Sequence, residues 1–280
     1  MTDHQKLVDV YFDDVAAYWR DVYRGEDVQS AIYERRRESV LASIEGLSLA
    51  PGSRIFEAGC GAGLTTIALA RKGYRVVATD SVAKMLGMTR ELAQNAGVAG
   101  QVSLQAADIH HLQFAGGSFD AAAAIGVLPW LPSLAEPVRE IARVLKPGGY
   151  LVITIDNVFA LNRLLDPRLC PAIEPVKRVL RNLLSRFGRR KPLLRARTHS
   201  MHELDRAISR AGLRKLKGST VGFGPFTFWN RDLLSTGNGN RWNNKLQRLA
   251  DAGFPILRST GAHYLVVAQK PPREKENHVH

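Results

Sequence analysis

Residues 54–63 read RIFEAGCGAG, an apolar run that leads directly into three glycines at alternate positions, Gly59, Gly61 and Gly63. The apolar run predicts a buried strand, and residues 64–71 predict a helix that begins directly after the last glycine. Glycines at such a junction allow backbone amides to approach a ligand at the helix N-terminus, where Cβ atoms would obstruct it. The stretch therefore predicts a ligand-binding turn between a strand and a helix.

The spacing of these glycines differs from that of a dinucleotide-binding fingerprint. The fingerprint is G-x-G-x-x-G, but here the third glycine comes one residue early and Leu64 stands in its expected place. Glu57 precedes the glycines, where its charge would repel a pyrophosphate and suit a cationic or amine-bearing ligand. A second predicted strand, residues 74–79, ends in Asp80, and a carboxylate there can accept hydrogen bonds from both hydroxyls of a ribose.

Five segments, in this order and with this spacing, resemble the class I, Rossmann-like S-adenosylmethionine methyltransferases of the small-molecule type. They are residues 57–63, 77–81, 107–109, 118–120 and 145–150. One glycine motif alone would be a weak signal, whereas five segments in register are a strong one. The resemblance implies an α/β fold with a doubly wound, seven-stranded, mostly parallel sheet. It also implies a methyltransferase enzyme with S-adenosyl-L-methionine as its cofactor.

The resemblance assigns roles around the cofactor. The glycine turn and the acid before it would hold the methionine portion and its ammonium, directly or through a water. The ribose would contact Asp80 and Ser81, and the adenine would contact Asp108 and the backbone amide of Ile109. The last residue of the fourth strand and the glycine after it would lie beneath the sulfonium. The cofactor-binding residues implied in this way are Glu57, Gly59, Gly61, Gly63, Asp80, Ser81, Asp108, Ile109, Ile125 and Gly126.

The sequence indicates less about the methyl acceptor site. Methyl transfer from a sulfonium requires that the acceptor be aligned with the methyl group more than it requires a dedicated catalytic side chain. We assign no catalytic residue. Residues 126–132 read GVLPWLP and lack both the histidines of many small-molecule relatives and the Asn/Asp-Pro-Pro-aromatic motif of enzymes that methylate exocyclic or amide nitrogen. Methylation at oxygen or carbon is therefore favoured. The candidate acceptor-binding residues are Tyr11, Tyr18, Trp19, Trp130 and Asn157.

The aromatic residues of the N-terminal segment have two interpretations. Relatives often use this region as a lid, and residues 11–41 loosely resemble the opening of magnesium-protoporphyrin methyltransferases, which esterify a propionate. Tyr33, with the three arginines that follow at 35–37, could reach a carboxylate. Aromatic residues at helical spacing are nevertheless more often core residues, so both interpretations stay open.

The formal net charge of +13 is concentrated in one segment. Residues 163–197 contain eleven Lys or Arg residues against two acidic ones. This composition favours an anionic partner: a phosphorylated or carboxylated substrate, a membrane surface, an acidic carrier protein or nucleic acid. A solvated helical face is an equally good interpretation. The two cysteines, Cys60 and Cys170, show neither disulfide nor metal-site spacing, and no secretory signal or membrane-spanning stretch is visible, so we expect a reduced, cytoplasmic, metal-free protein.

Composition and periodicity divide the chain into successive segments. The predicted division is an N-terminal helical lid (1–46), a cofactor-binding core (47–156), a basic helical insertion (157–197), the C-terminal part of the core (198–270) with a substrate-cover insertion (223–261), and a disordered tail (271–280). Ser200 and Glu203 predict a capping box at the start of a helix that stops at Gly212. Residues 236–240 predict an Asn/Gly-rich loop before a helix over 242–252, and residues 147–149 a turn before the fifth strand.

Three hypotheses follow for the function. The first is methylation, at oxygen or carbon, of a small or lipid-linked acceptor whose anionic group meets the basic insertion. The second is an RNA methyltransferase, which the charge favours but which the absence of aromatic interleaving in the basic stretch opposes. The third is a non-catalytic cofactor-binding protein that docks on a membrane through residues 163–197.

Overall fold

A computed structural model of the chain describes residues 3–185 and 194–273. These residues contain a seven-stranded sheet with the strand order β3-β2-β1-β4-β5-β9-β6 and a separate two-stranded ladder, β7-β8. The strands are β1 Arg54–Ala58, β2 Arg75–Asp80, β3 Val102–Ala106, β4 Phe119–Ala124, β5 Leu145–Asp156, β6 Arg214–Val221, β7 Thr227–Phe228, β8 Arg231–Asp232 and β9 His263–Gln269. Strands β1 to β5 pair in parallel, whereas β9 runs antiparallel to both β5 and β6. The predicted doubly wound, seven-stranded, mostly parallel sheet is confirmed.

Helices cover both faces of this sheet. Their bounds are α1 Asp3–Asp14, α2 Ala16–Asp21, α3 Val28–Glu45, α4 Leu64–Arg71, α5 Ala83–Asn95, α6 Ala135–Val144, α7 Leu161–Leu165, α8 Glu174–Ser185, α9 Met201–Arg210 and α10 Thr236–Asp251. The capping box predicted for α9 is present: the Ser200 hydroxyl accepts from the Glu203 amide, and the Glu203 carboxylate accepts from the Ser200 amide. No helix among the described residues has the length and apolar character needed to span a bilayer.

The central strands are buried on both faces, as expected for a parallel sheet covered by helices. Strand β4 ends in four consecutive alanines, residues 121–124, each of them fully buried. Such small side chains allow the flanking helices to approach the middle of the sheet closely. On one face, Val40 and Ile44 of α3 pack with Ile55 of β1, which fixes the N-terminal helices against the core.

The first helix crosses the end of the sheet where the parallel strands finish. The ring Nε2 of His4 lies 2.9 Å from the carbonyl oxygen of Trp130, and Gln5 Nε2 donates to Ser81 Oγ over 3.2 Å. Helix α1 therefore contacts residues after β4 and residues after β2. This position agrees with a lid, which we retain as a proposal.

Two local predictions are wrong. Residues 236–240 form the first turn of α10 because tertiary contacts override their loop-like composition: Gly239 packs on Val28, and Asn240 Nδ2 donates to the carbonyl oxygen of Glu26 over 2.9 Å. Residues 147–149 lie within β5, where a register shift against β4 and the left-handed conformation of Gly148 replace the predicted turn. Residues 186–193 of the basic insertion and 274–280 of the predicted tail lie outside the described residues.

Candidate functional site

A cleft with about 1100 Å³ of empty space opens at the carboxyl ends of β1, β2, β3 and β4. Strand order reverses between β1 and β4, and open α/β sheets bind ligands at such a switch point. Nine of the ten predicted cofactor-binding residues line this cleft: Glu57, Gly59, Gly61, Asp80, Ser81, Asp108, Ile109, Ile125 and Gly126. Residues distant in sequence thus converge on one cavity.

The three glycines of the turn differ in what they provide. A Cβ at Gly59 would lie 2.3 Å from Cγ2 of Val127, so the turn can approach β4 only without a side chain there. A Cβ at Gly61 would meet nothing within 4 Å, and Gly61 faces the cleft. Gly63 does not line the cleft; it begins α4 at φ 87° and packs on Thr89. The structure therefore gives Gly63 a packing role in place of the predicted ligand contact.

The Asp80 carboxylate is held in place by the backbone. One oxygen accepts from the amide of Gly61 over 2.9 Å and the other from the amide of Val82 over 3.0 Å. Each carboxylate oxygen keeps a further lone pair, which leaves acceptor capacity for the two hydroxyls of a ribose. Burial raises the pKa of Asp80, and the two amide hydrogen bonds oppose this rise.

Glu57 is 3% exposed, and its Oε2 accepts from the Thr66 hydroxyl over 2.6 Å. Burial raises the pKa of Glu57 to about 8, although the Thr66 hydrogen bond lowers it; the nearby Asp80 charge raises it further. At neutral pH the carboxyl is therefore mostly protonated, and a ligand ammonium beside it would favour the ionised form. This end of the cleft suits an amine-bearing ligand and disfavours a phosphate.

The other end of the cleft contains Asp108, which follows β3 by two residues. One carboxylate oxygen accepts from the backbone amide of His110 over 2.9 Å and lies 2.6 Å from the His110 ring Nδ1. Partial burial would raise the pKa of Asp108, but these hydrogen bonds outweigh it and hold the pKa below its ordinary value. An ionised carboxylate at this position can accept a hydrogen bond from the amine of an adenine.

The comparisons with known proteins agree with this geometry. A family model described as a methyltransferase domain matches residues 56–153, which include the glycine turn, Asp80, Asp108 and the end of β4. Residues 56–153 form a class I methyltransferase domain. The predicted family and its cofactor, S-adenosylmethionine, are confirmed for this domain, and the buried acid, the glycine turn and Asp80 fit that cofactor.

Curated relatives of the methyltransferase domain are named as methyltransferases. Methyltransferase GfsG of Streptomyces halstedii is 33% identical over 156 residues, which are 50% of this chain and 52% of that protein. A ubiquinone biosynthesis O-methyltransferase of Xanthomonas axonopodis is 30% identical over 55% of this chain and 62% of that protein. The chain thus spans only about half to three-fifths of the length of these two relatives.

Solved structures show the same fold over nearly the whole chain. Magnesium protoporphyrin IX methyltransferase of Synechocystis, with bound S-adenosylhomocysteine, has a TM-score of 0.64 at 18% identity and covers 96% of this chain and 100% of its own. The [4+2]-cyclase SpnF has a TM-score of 0.61 at 19% identity, with 95% of each chain covered. At these identities only the fold is shared, and the second neighbour shows that this fold does not fix the reaction.

A second cavity, with about 570 Å³ of empty space, adjoins the cofactor cleft of the methyltransferase domain. The two cavities share Trp19, Arg36, Gly126 and Trp130 among their lining residues. Four of the five candidate acceptor-binding residues line it: Tyr11, Tyr18, Trp19 and Trp130. The Tyr11 ring stacks on Trp130 with centroids 5.2 Å apart. Tyr18 is 53% exposed and Trp19 also packs on a buried cluster with Ala16, Val82 and Met85, so the N-terminal aromatics line a cavity and pack at the same time.

Asn157, the fifth candidate, lines neither cavity. It is fully buried, its Nδ2 donates to the carbonyl oxygens of Ser259 and Gly261 over 2.9 and 3.0 Å, and its Oδ1 accepts from the Phe159 amide over 3.0 Å. All of its polar atoms are occupied by backbone groups. Asn157 therefore links the end of β5 to the segment before β9 through hydrogen bonds, and we no longer propose that it contacts the substrate.

The second cavity also contains polar groups that sequence reasoning missed. Asp156, the last residue of β5, lines it, and one Asp156 oxygen lies 3.0 Å from the His263 ring Nδ1. Burial would raise the pKa of Asp156, but the His263 hydrogen bond and the charges of Arg36 and Arg163 outweigh it, so the pKa lies below its ordinary value. Burial and the Arg36 charge lower the pKa of His263, which therefore donates to Asp156 as a neutral ring. The position of Asp156 at the carboxyl end of a strand was the signal that could have identified it.

Proposed function

We propose that the protein transfers the methyl group of S-adenosylmethionine to an oxygen or carbon atom of a small, anionic acceptor. The observation that carries this proposal is that the cofactor cleft adjoins an aromatic-walled cavity, with Gly126 and Trp130 lining both. When bound, the cofactor supplies an activated methyl group. The protein then needs to align the acceptor with that methyl and to exclude water.

Asp156 is the acidic residue among those that line the second cavity. It is ionised, and its second carboxylate oxygen is not engaged by His263. We infer that this oxygen accepts a hydrogen bond from an acceptor hydroxyl and takes its proton as the methyl is transferred. The lining contains no Asn/Asp-Pro-Pro-aromatic segment, so nitrogen methylation remains disfavoured.

The names of curated relatives support a small-molecule acceptor. They include ubiquinone biosynthesis O-methyltransferases, named for transfer to oxygen, and a sterol 4-C-methyltransferase of Caenorhabditis elegans, named for transfer to carbon. The aromatic-walled cavity would accommodate a flat, largely apolar acceptor. A lipid-linked acceptor would be compatible with the same wall.

Methyl-labelled S-adenosylmethionine, incubated with the protein and a fractionated extract of its source, tests the proposal. We expect a labelled small molecule from the wild-type protein and from Asp232→Ala, an exposed control carboxylate. We expect its formation to fall by at least about tenfold with Asp80→Ala, because the ribose loses a charged hydrogen-bond partner. Label recovered only in RNA, or cofactor binding without any labelled product, would contradict the proposal.

We also propose that residues 161–179 contact an anionic membrane surface, where a lipid-linked acceptor would be presented. Exposed apolar side chains lie here beside basic ones: Leu165, Val176 and Val179 are 52, 69 and 61% exposed. Such a pairing suits the interface of a bilayer with acidic headgroups. The predicted cytoplasmic location stays a prediction.

Co-sedimentation with vesicles tests this contact. Vesicles that contain phosphatidylserine should retain the wild-type protein, and vesicles of phosphatidylcholine alone should not. The double variant Val176→Ser and Val179→Ser should lose retention, whereas Ile256→Ser, which removes an equally exposed apolar side chain elsewhere, should keep it. Equal retention by both kinds of vesicle, or by the double variant, would contradict the contact.

A further inference from the structure

Arg36 is a buried cation that forms no ion pair with the residues that the structure describes. Its side chain lies on α3 and the residue is only 4% exposed. The guanidinium stacks over the Tyr33 ring at 4.8 Å, its Nε has no hydrogen-bond partner, and it makes no ion pair with any residue that the structure describes. A buried charge is costly unless an opposite charge or hydrogen-bond acceptors compensate it, so this arrangement calls for a ligand.

The guanidinium lies at the junction of the two cavities. Arg36 lines both of them, and a Cβ at Gly126 would lie 3.1 Å from each of its two terminal nitrogens. The absence of a side chain at Gly126 is therefore what admits the guanidinium to the end of β4. At this place an acceptor would meet the methyl-bearing end of the cofactor.

The carboxylate that acts on Arg36 is shared with other basic groups. Asp156 is the acidic residue of the second cavity, but it is bonded to His263 and its charge is also shared with Arg163. Burial lowers the pKa of Arg163, whose Nε likewise has no hydrogen-bond partner. Arg163 also interacts with the carboxylate of Glu174, whereas Arg36 acts on Asp156 without forming an ion pair with it. The Arg36 guanidinium therefore keeps hydrogen-bond donors, among them its unpartnered Nε, for a ligand anion.

We propose that Arg36 binds an anionic oxygen, a carboxylate or an ionised phenol, on a flat conjugated acceptor. The proposal rests on the proposed function, because it assigns a substrate class to the same site. The planar guanidinium supplies the anion contact, and the aromatic side chains of Tyr11, Trp19 and Trp130 supply a slot for a flat ring. Arg36 thereby selects an acid over its neutral analogue.

Calorimetric titration with cinnamate and with cinnamamide, both in saturating S-adenosylhomocysteine, tests the proposal. Cinnamate should bind the wild-type protein at least about tenfold more tightly than cinnamamide, as expected for a hydrogen-bonded charge pair. Arg36→Gln should abolish this preference. Arg35→Gln should keep it, because Arg35 is 44% exposed and paired with Asp251 on the surface. Equal binding of the two probes, binding of neither, or a preference that survives Arg36→Gln would overturn the proposal.

The melting temperature of Arg36→Met without ligand separates ligand binding from a structural role. If Arg36 serves to bind a ligand, its charge is uncompensated in the ligand-free protein. The Arg36→Met variant should therefore melt at the same temperature as the wild-type protein or at a higher one. A clearly lower melting temperature would identify Arg36 as a structural residue and overturn the proposal. Failure of the wild-type protein to bind S-adenosylhomocysteine would instead count against the proposed function.

Discussion

Replacement of Glu57 by glutamine is expected to stabilise the ligand-free protein above neutral pH and to change its stability little in acid. Burial raises the pKa of this carboxyl from 4.5 to about 8 in the folded protein. Because the folded state holds the proton more tightly than the unfolded state, the stabilising contribution is complete below the unfolded pKa. It is lost as the pH rises through the folded pKa. The glutamine of the variant has no proton to lose, and its amide oxygen can accept the same hydrogen bond from Thr66.

The magnitude follows from the two pKa values. A rise from 4.5 to about 8 corresponds to roughly 4–5 kcal/mol, since each pKa unit is worth about 1.4 kcal/mol. Water entry and local relaxation around the ionised carboxylate reduce this upper bound, so we expect an effect of about 2–4 kcal/mol. With a urea dependence of about 2–3 kcal/mol per molar, this is a difference of about 1 M in the unfolding midpoint.

Urea unfolding at about pH 5 and about pH 9, without cofactor, measures the effect. The free energy of unfolding of Glu57→Gln relative to wild type should rise between these two values by the amount above. Glu45→Gln provides the control, because Glu45 is a surface residue paired with Lys72 and should show no such pH dependence. Wild type and Glu57→Gln with the same pH dependence would refute the reasoning that Glu57 is buried and protonated.

Three further predictions concern the cofactor and the framework. At neutral pH, binding of S-adenosylmethionine should release close to one proton, because its ammonium favours the ionised form of Glu57. The calorimetric heat of binding should therefore depend on the ionisation heat of the buffer, and a heat that is the same in all buffers would contradict this prediction. Gly63→Ala should lower the free energy of unfolding by about 1–3 kcal/mol, because it adds a clash with Thr89 to backbone strain. The loss should exceed that of Gly73→Ala, where the added Cβ meets nothing, and equal denaturation midpoints for the two variants would contradict the clash. Asn157→Ala should lower the free energy of unfolding by about 2–4 kcal/mol in chemical denaturation, because it leaves the carbonyl oxygens of Ser259 and Gly261 without their donor; an unchanged free energy would contradict its joining role.

The parts of the fold that depend on local pattern could be predicted from the sequence. Strand β1, the glycine turn and α4 follow from a short apolar run, three glycines and a helical stretch, and the structure has them at the expected residues. Likewise, the capping box at Ser200 depends on side chains only three residues apart. Local interactions of this kind are contained in the sequence window that is being interpreted.

The errors concern residues whose role is set by distant packing. Residues 236–240 look like a loop, yet Gly239 is needed where α10 meets Val28, and the helix continues through it. Asn157 looks like a residue at the mouth of the site, but its amide is used by backbone groups about a hundred residues later in the chain. Neither contact leaves a signal in the surrounding sequence.

The acceptor cavity shows the same limit. Arg36 stands among three consecutive arginines, of which the sequence gives no reason to single out one. Helix α3 packs against β5, β6 and β9, and in this packing the middle arginine is buried while Arg35 stays on the surface. In the same way, the pair of Asp156 and His263 requires that β9 lie beside β5 in antiparallel register.

Calorimetric titration of the wild-type protein with S-adenosylhomocysteine, and in parallel with NAD, tests the central claim most directly. We expect one S-adenosylhomocysteine bound per chain, no binding of NAD, and an affinity for S-adenosylhomocysteine that falls by at least about tenfold in Asp80→Ala. Binding of NAD in its place, or an unchanged affinity in Asp80→Ala, would contradict the claim that Asp80 and the glycine turn hold the nucleoside of this cofactor.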